Sequence, residues 1–414
     1  MKCELGIGET TQSVEVADEN LIEVMHANDV SFDRYGAEVV EEALDHPIGT
    51  DKLEQIVKPG DKVCIITSDV TRPLPTAVVL PPVMDRLHAA GIADEDVLLA
   101  IALGSHRPQT EEELQHIMGS YYGKLKVLNG DSKGLVHVGE TAHGTPIDIL
   151  EEVMDCNVRI SLGNVEYHYF AGYSGGAKAI MPGVSTFEAI QANHSIMVDP
   201  AAHSGNMESP VRLDLEEACA KVGLHFIVNV VLDEEKRVVY CACGDFIKAQ
   251  RDACKQLDRL YGCELNEEAD IVIVSQGGAP KDLNLYQLQK ALDNAKHPVK
   301  EGGIIILVGS CREGLGQPTF EQWMLEADSP ADVVEHLKRE FKLGGHKAAA
   351  VAQILLKADV YLVSDMEPDF VRSIFMTPFE TVQQAYDAAL EAKGPDARVL
   401  VMPHGGSTLP LMRL

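Results

Sequence analysis

Residues 270–295 have the sequence DIVIVSQGGAPKDLNLYQLQKALDNA, and a second apolar run, GGIIILVGS, follows at 302–310. The first six residues form a short apolar run that is typical of a buried strand. LYQLQKALDNA has the spacing of an amphipathic helix. A strand, a helix and a second strand in this order are typical of a parallel sheet with crossover helices. The stretch therefore predicts an α/β fold.

The same alternation of strands and helices continues on both sides of this stretch. In the amino-terminal direction, strands are predicted at 62–67, 96–103, 158–162 and 226–232, with an antiparallel partner for the last at 237–243. A helix at 246–262 then ends at a glycine, a common helix stop. In the carboxyl-terminal direction, helices are predicted at 331–341, 346–358 and 381–392, and strands at 360–364 and 398–403.

The chain length indicates more than one hydrophobic core. A chain of 414 residues exceeds the usual size of a single domain, which is about 50–250 residues. Because the strand–helix rhythm restarts near residue 270, we predict two α/β domains, one spanning 1–268 and the other 269–414. Ligands of such folds bind where loops leave the carboxyl ends of strands. We expect the active site in the cleft between the two domains.

Composition restricts the classes of partner. The formal net charge of −29 argues against nucleic acid and against an anionic membrane surface, both of which attract clustered lysine and arginine. Hydrophobic residues at 45% and charged residues at 24% are typical of a soluble globular protein. We predict no export signal at the amino terminus, and nine scattered cysteines without a Cys-x-x-Cys pair are expected to be reduced. The predicted location is the cytoplasm.

Three predicted strands are each followed by a loop rich in polar and charged side chains. SDVTRPLP (68–75) follows the first, GSHRPQT (104–110) the second, and EYHYFAGYSGGAKAIMPG (166–183) the third. Thr110 and Glu113 have the spacing of a capping box, which places His106 in the loop before a helix. The glycines of the third loop permit close approach of the backbone to a ligand. Each loop singly has an ordinary interpretation: an Asp–Arg turn, a solvent-exposed histidine, or a glycine-rich turn that lacks the P-loop spacing.

Two further segments add candidate residues. His194, in the sequence NHS, is expected just after a helix that contains VSTFEAIQ, where a surface histidine is the alternative. Tyr286 and Lys290 are four residues apart on one face of the helix predicted after the strand at 270–275, with Gln287 near its start. An amphipathic helix with an exposed lysine is the alternative for this segment. No His-x-His or His-Glu-x-x-His pattern occurs, so no ordinary zinc site is encoded locally.

Together these motifs resemble the nickel-dependent lactate racemase family, and the match runs through most of the chain. It is carried by SDVTRPLP, GSHRP, EYHYFAGYSGGAKAIMPG, the NH at 193–194 and NLYQLQK. The resemblance implies racemisation or epimerisation at C2 of a 2-hydroxy acid by hydride transfer. It also implies a nickel pincer nucleotide, a Ni(II)-pyridinium-3,5-bisthiocarboxylate mononucleotide, which separate biosynthesis proteins would supply. The first domain would bind this cofactor, and the second would close over the substrate.

The resemblance also implies a role for each candidate residue. His106 and His168 would be the acid/base pair, and Lys178 would attach the cofactor. His194 would be the nickel ligand, which suits the preference of Ni(II) for nitrogen and sulfur donors. The remaining expectations are Asp69, Val70, Thr71 and Arg72 for the nucleotide, and Arg72, Tyr286, Gln287 and Lys290 for the substrate.

The chain departs from the family pattern at two places. Ala177 stands where the family often has arginine, and the sole tryptophan, Trp323, is not at the position of the lactate racemases' active-site tryptophan. We therefore expect a longer or more polar 2-hydroxy acid than lactate, with His346 and Lys347 near its tail.

A nicotinamide-dependent dehydrogenase and a 2-hydroxy acid binding protein remain alternatives. The first would need a Gly-x-Gly-x-x-Gly after a strand, which is absent, and the second would not need both His106 and His168.

Overall fold

The computed structural model describes residues 1–342 and 344–412, which form two compact units. The central unit is Val30–Leu257, and the terminal unit combines Met1–Asp29 with the chain from Asp258 onward. This division differs from the predicted one at 268/269. It separates the first 29 residues from the segment that follows them, and its second boundary falls within a helix, Lys248–Tyr261.

The strands are β1 (Lys2–Ile7), β2 (Thr10–Glu15), β3 (Leu21–Val24), β4 (Val63–Ser68), β5 (Val97–Ala102), β6 (Lys126–Leu128), β7 (Leu135–Glu140), β8 (Pro146–Leu150), β9 (Val158–Asn164), β10 (Tyr167–His168), β11 (Gly172–Tyr173), β12 (Phe226–Leu232), β13 (Val238–Gly244), β14 (Gly262–Leu265), β15 (Ala269–Ser275), β16 (Val299–Val308), β17 (Asp359–Val363), β18 (Thr377–Phe379), β19 (Val399–Met402) and β20 (Leu409–Met412). The α-helices are α1 (Ala37–Asp45), α2 (Leu53–Ile56), α3 (Thr76–Ala89), α4 (Glu111–Met118), α5 (Glu151–Met154), α6 (Phe187–Ser195), α7 (Pro210–Val222), α8 (Lys248–Tyr261), α9 (Leu285–Ala295), α10 (Pro318–Glu326), α11 (Pro330–Arg339), α12 (Gly345–Lys357), α13 (Pro368–Ser373) and α14 (Val382–Lys393).

The central unit contains a six-stranded sheet in the order β13-β12-β9-β4-β5-β6. Its strands pair in parallel except for β13, which pairs antiparallel with β12, as the sequence predicts. β9 and β12 are buried along their whole length, which is typical of strands covered on both faces of a sheet. The prediction of an α/β fold is confirmed. β9, β4 and β5 are neighbours, so the loops after them leave one edge of the sheet.

The terminal unit contains a second six-stranded sheet in the order β18-β17-β16-β15-β19-β3, and all of its strands are parallel. The reason that the first 29 residues belong here is strand pairing, because β3 extends the sheet beside β19. The β1–β2 hairpin contributes Leu5 and Val14 to the same core as Ile271 and Ile306. Local sequence cannot reveal which sheet a short edge strand joins, so the pairing of β3 with β19 is visible only in the structure.

All nine cysteines are free and buried, in agreement with the expectation of reduced structural thiols. Thr110 accepts a hydrogen bond from the Glu113 backbone N–H at 3.3 Å, and the Glu113 carboxylate accepts one from the Thr110 N–H at 2.7 Å, so the predicted capping box starts α4. Within residues 1–342 and 344–412, no helix is both long and apolar enough to cross a membrane.

Candidate active site

The first part of the site is a histidine–carboxylate pair that joins two strand-end loops of the central unit. Asp69 follows β4 and is 3% exposed, and His106 lies in the loop after β5. The Asp69 carboxylate binds Nδ1 of His106, and its other oxygen accepts hydrogen bonds from the N–H of Thr71 at 3.0 Å and the hydroxyl of Thr71 at 2.5 Å. Burial opposes ionisation of Asp69, but these hydrogen bonds hold its pKa below the usual value.

This pairing fixes the chemistry of His106. Since Nδ1 donates to a carboxylate, the neutral ring presents Nε2 as a proton acceptor. The His106 side chain is 41% exposed, so Nε2 can reach a ligand. The carboxylate of Asp69, which is predicted to bind the nucleotide, contacts His106 and Thr71 in the structure. Thr71 and Arg72 are exposed on the same loop, as is Val70, whose N–H donates to Gln109 at 3.1 Å.

The second part of the site is built around the ring of Phe170, which is 2% exposed. His168 meets this ring edge to face with centroids 4.5 Å apart, and His194 does so at 4.8 Å. The Lys178 amine lies over the same ring, 5.7 Å from its centroid. The structure therefore brings together three predicted site residues that are up to 26 positions apart in sequence. Sequence reasoning missed Phe170, although an aromatic residue two positions after His168 in a glycine-rich loop was a visible signal.

His194 occupies a different position from the one predicted. It lies in the last turn of α6 and does not follow the helix. Thr186 caps α6 by accepting a hydrogen bond from Ala189, and the helix then continues through the NHS sequence. The neighbouring Asn193 is buried and donates hydrogen bonds to the Val211 carbonyl at 3.2 Å and to an Asp214 oxygen at 2.8 Å. His194 is thus anchored by a helix that packs on α7.

The electrostatic environment of His168 and Lys178 favours their neutral forms. Burial lowers the pKa of Lys178 well below that of an ordinary lysine, and the charges of Arg72 and Arg212 lower it further. Burial likewise lowers the pKa of His168, followed by the charges of Lys178 and Arg72, with smaller contributions from His194 and Arg212. An uncharged amine is a nucleophile, and a neutral imidazole can exchange protons.

A buried carboxamide lies beneath the glycine turn of the third loop. Gly175 has a φ of +74°, and a Cβ at this position would lie 2.9 Å from Nδ2 of Asn229. Asn229 is fully buried, and neither polar atom of its side chain has a hydrogen-bond partner within the described part of the chain. Such groups are costly to leave unsatisfied, which marks this turn as a place for a polar ligand or water.

The terminal unit carries the remaining predicted residues on α9, where Asn284 accepts a hydrogen bond from the Gln287 N–H at 3.1 Å. Tyr286 and Lys290 lie on this helix as the sequence predicts. The Lys347 amine donates to the Tyr286 carbonyl at 2.7 Å and lies 4.0 Å from the centroid of the Tyr286 ring. Lys347 is 6% exposed, so its position is set by this contact.

His346 and Trp323 are also committed to the interior of the terminal unit. His346 accepts a hydrogen bond from the Gly344 N–H at 3.0 Å, and burial followed by the charge of Lys347 lowers its pKa to about 4. Trp323 is 4% exposed and stacks on the ring of His336 with centroids 4.0 Å apart. The expectation that His346 and Lys347 contact a substrate tail is therefore replaced by internal roles, and Trp323 is a core residue.

These features define an α/β protein with a carboxylate-supported histidine and a cluster of two histidines and a lysine around Phe170. Comparison with known proteins narrows this class. Residues 7–205 match the model of the lactate racemase N-terminal domain, and residues 265–409 match that of the lactate racemase C-terminal domain. The chain belongs to the lactate racemase family and is therefore an isomerase by class.

Individual relatives agree with this assignment. The chain is 33% identical to the lactate racemase of Lactiplantibacillus plantarum over 89% of each protein, and 30% identical to that of Thermoanaerobacterium thermosaccharolyticum over 98% of each. The solved structure of the Thermoanaerobacterium lactate racemase apoprotein superposes with a TM-score of 0.91 at 29% identity, covering 99% of this chain and 100% of that one. A Thermotoga maritima protein shares the fold at 20% identity, with a TM-score of 0.64 over 91% of this chain and 98% of its own.

Proposed function

We propose that the protein racemises or epimerises a small 2-hydroxy acid, lactate or a relative of it, with a nickel pincer nucleotide supplied by separate biosynthesis proteins. The observation that carries the proposal is the gathering of His168, Lys178 and His194 around Phe170. A binding protein for the same anion would have no need to lower the pKa of a lysine beside a histidine. The named relatives are lactate racemases, which supports the reaction class.

The residues present fit this cofactor. Lys178 would hold it covalently, because its low pKa leaves the amine uncharged and able to attack an acyl or thioacyl carbon. His194 would be the protein ligand of the metal, since imidazole suits Ni(II) together with sulfur donors. Thr71 and the exposed Arg72 would bind the phosphate. The unpartnered carboxamide of Asn229 lies under the glycine turn of the loop that carries Lys178 and offers a donor and an acceptor to a polar group.

When bound, this group would accept a hydride from C2 of the substrate and return it to either face. The protein must then move the hydroxyl proton. Nε2 of His106 is the acceptor, because Asp69 holds the other ring nitrogen protonated. His168 accepts a hydrogen bond from the Ala171 N–H at its Nδ1, 3.2 Å away, so the neutral ring carries its proton on Nε2. Arg72, Tyr286, Gln287 and Lys290 are proposed to bind and orient the substrate, the two cations through its carboxylate.

Metal and adduct analysis tests the cofactor assignment. The chain produced together with the cofactor machinery should contain about one nickel per chain and a covalent adduct by intact mass. His194→Ala should lose the metal, and Lys178→Ala should lose the adduct. His225→Ala is the matched control, because the pKa of His225 is also lowered, first by desolvation and then by the charge of Arg159. Full nickel occupancy in His194→Ala, or an adduct on another lysine, would contradict these assignments.

Isotope retention tests the reaction itself. A substrate deuterated at C2 should keep its label during turnover, because hydride transfer does not exchange with water. Rapid loss of the label to solvent would indicate proton abstraction and a different mechanism. A nicotinamide-dependent dehydrogenase would release a stoichiometric 2-keto acid product, which the same samples would reveal.

A substrate panel tests the specificity that the missing tryptophan suggests. Trp323 is in the core of the terminal unit, so no tryptophan side chain is available to close the space beside C3. We expect lactate to react more slowly than 2-hydroxybutyrate, malate, phenyllactate or gluconate, with a difference of about 1–3 kcal/mol per fitted methylene. Chiral chromatography of each reaction gives the ranking. Lactate as the clear best substrate would show that another group fills this space.

A further inference from the structure

Four successive carbonyl groups in the loop between His168 and Lys178 are held by one neighbouring segment. This segment, 205–212, runs into the first turn of α7. Gly172 must be glycine here, since a Cβ on it would lie 1.9 Å from the Asn206 carbonyl oxygen. The hydrogen bonds are Ser209 Oγ to Phe170 O at 2.5 Å, Arg212 Nε to Ala171 O at 3.0 Å, Gly205 N to Gly172 O at 3.0 Å, and Arg212 Nη2 to Tyr173 O.

Arg212 supplies two of these four contacts from a fully buried position. Burying a guanidinium is costly unless it is paired and hydrogen-bonded, and burial lowers the pKa of Arg212. Its nearest carboxylate oxygen belongs to Glu216 at 3.6 Å, and Glu216 is itself bound by Arg251 at 2.7 Å. Nη1 of Arg212 has no hydrogen-bond partner within the described residues. A buried guanidinium that is only partly hydrogen-bonded and has a distant, shared carboxylate contributes little to stability. We therefore looked for a role of Arg212 in the active site.

We propose that Arg212 is a positioning residue of the active site: its guanidinium fixes the backbone of residues 170–173, and thereby the placement of Phe170 against His168, Lys178 and His194. This inference rests on the proposed function, because those three side chains are the ones assigned to proton transfer and cofactor binding. Fixing the backbone on both sides of Gly172 removes freedom from the one segment that carries both His168 and Lys178. Placement errors of about 1 Å are enough to slow a reaction roughly 10²-fold.

The charge of Arg212 acts on the same two side chains. Lys178 experiences burial first, then the charges of Arg72 and Arg212. His168 experiences burial, then Lys178, Arg72, His194 and Arg212. Removing the Arg212 charge should therefore make Lys178 easier to protonate, and its amine should become reactive only at higher pH.

A labelling experiment on the full-length chain without cofactor tests the proposal independently of catalysis. Acetic anhydride is applied across a pH series, and acetylation of Lys178 is followed by peptide mass spectrometry. The matched control is Arg159→Gln, because Arg159 is also a buried arginine that donates to backbone carbonyls, those of Gly223 at 2.8 Å and Cys156 at 2.7 Å. Arg212→Gln should raise the pH of half-labelling by roughly half a unit or more, and Arg159→Gln should leave it unchanged. Equal behaviour of the two variants would overturn the proposal.

Arg212→Lys covers the case in which Arg212→Gln does not fold. It keeps the charge but cannot hold both carbonyls in one fork. Labelling of Lys178 should then stay near the wild-type pH, while kcat falls about tenfold or more with KM within about twofold. A wild-type kcat in Arg212→Lys would overturn the positioning role. Failure of the proposed function is distinguishable, because it would appear as absence of racemisation in the loaded wild type, whereas the labelling result needs no turnover.

Discussion

The two histidines assigned to proton transfer are supported in opposite ways. His106 is exposed and anchored through Nδ1 to the carboxylate of Asp69. His168 is half-buried, accepts the Ala171 N–H at Nδ1, and is surrounded by positive charge. The first arrangement presents an acceptor at Nε2, while the second presents a donor at Nε2 and disfavours a second proton on the ring.

This difference suggests that the two faces of the substrate are treated unequally by the resting protein. A racemase needs one group able to take a proton and one able to give it, and the roles exchange between the two directions. His106 is oriented for the first role by its hydrogen bond to Asp69, which leaves Nε2 as the acceptor. Burial and the nearby positive charges disfavour a second proton on His168, and we expect an anionic ligand to offset this effect. Substrate binding and proton transfer are therefore expected to be coupled at His168 and not at His106.

The strongest test of the comparison removes each histidine in turn. His106→Ala and His168→Ala should each reduce the rate of racemisation by at least ~10²-fold, the usual contribution of an acid/base group. Initial rates are measured by chiral chromatography from each enantiomer separately. A near-normal rate in either variant would exclude that histidine from the mechanism. The comparison uses kcat at saturating substrate, because a variant must lose kcat/KM by the same factor in both directions. Equal losses of kcat in both directions for both variants would contradict the asymmetry.

The next test removes the carboxylate of Asp69 and keeps His106. Asp69→Asn should lower the rate at least about tenfold, because His106 loses the carboxylate that keeps Nδ1 protonated and Nε2 free to accept a proton. Asp148→Asn is the matched control, since Asp148 holds Nδ1 of the exposed His137 at 2.7 Å on the β7–β8 hairpin. The control should keep wild-type activity. A wild-type rate in Asp69→Asn would show that the carboxylate is dispensable to His106.

The smallest expected effect is on the free energy of unfolding. The regions around His168 and Asp69 should change its pH dependence in different pH ranges. The lowered pKa of His168 means that the unfolded chain binds more protons than the native one below about pH 6.5, so the free energy of unfolding decreases as the pH falls below that value. The lowered pKa of Asp69 contributes stability that is present above about pH 4 and lost as the pH falls further. The two regions should therefore weaken in different pH windows.

Urea unfolding of the cofactor-free chain measures this separation. Between about pH 7.5 and pH 5.5, His168→Gln should flatten the dependence of unfolding free energy on pH, whereas Asp69→Asn should leave it unchanged. Below about pH 4 the order should reverse. A His168→Gln variant that keeps the full wild-type slope above pH 5.5 would contradict the lowered pKa of this histidine.

Much of the fold could be predicted because its signals are local. The buried strands β4, β5, β9 and β12 are short apolar runs, and their predicted bounds lie within two residues of the observed ones. The start of α4 follows from Thr110 and Glu113, whose reciprocal hydrogen bonds span three positions. His194 was misplaced relative to its helix because no glycine or proline marks the end of α6. Helix ends without such residues are set by packing.

The sequence by itself determined the alternation of strands and helices, the residue types of the strand-end loops and the family resemblance that ties those loops together. These three properties depend on composition and on spacings of a few residues, both of which can be read from the sequence. Only the tertiary structure decided that Asp69 binds His106, that Phe170 is the shared surface for His168, His194 and Lys178, and that β3 joins β19. It also decided that Arg212 holds carbonyls about forty positions earlier in the chain. These contacts are fixed by how sheets and loops pack against one another. A local sequence pattern cannot predict them, because each residue has several chemically similar partners elsewhere in the chain.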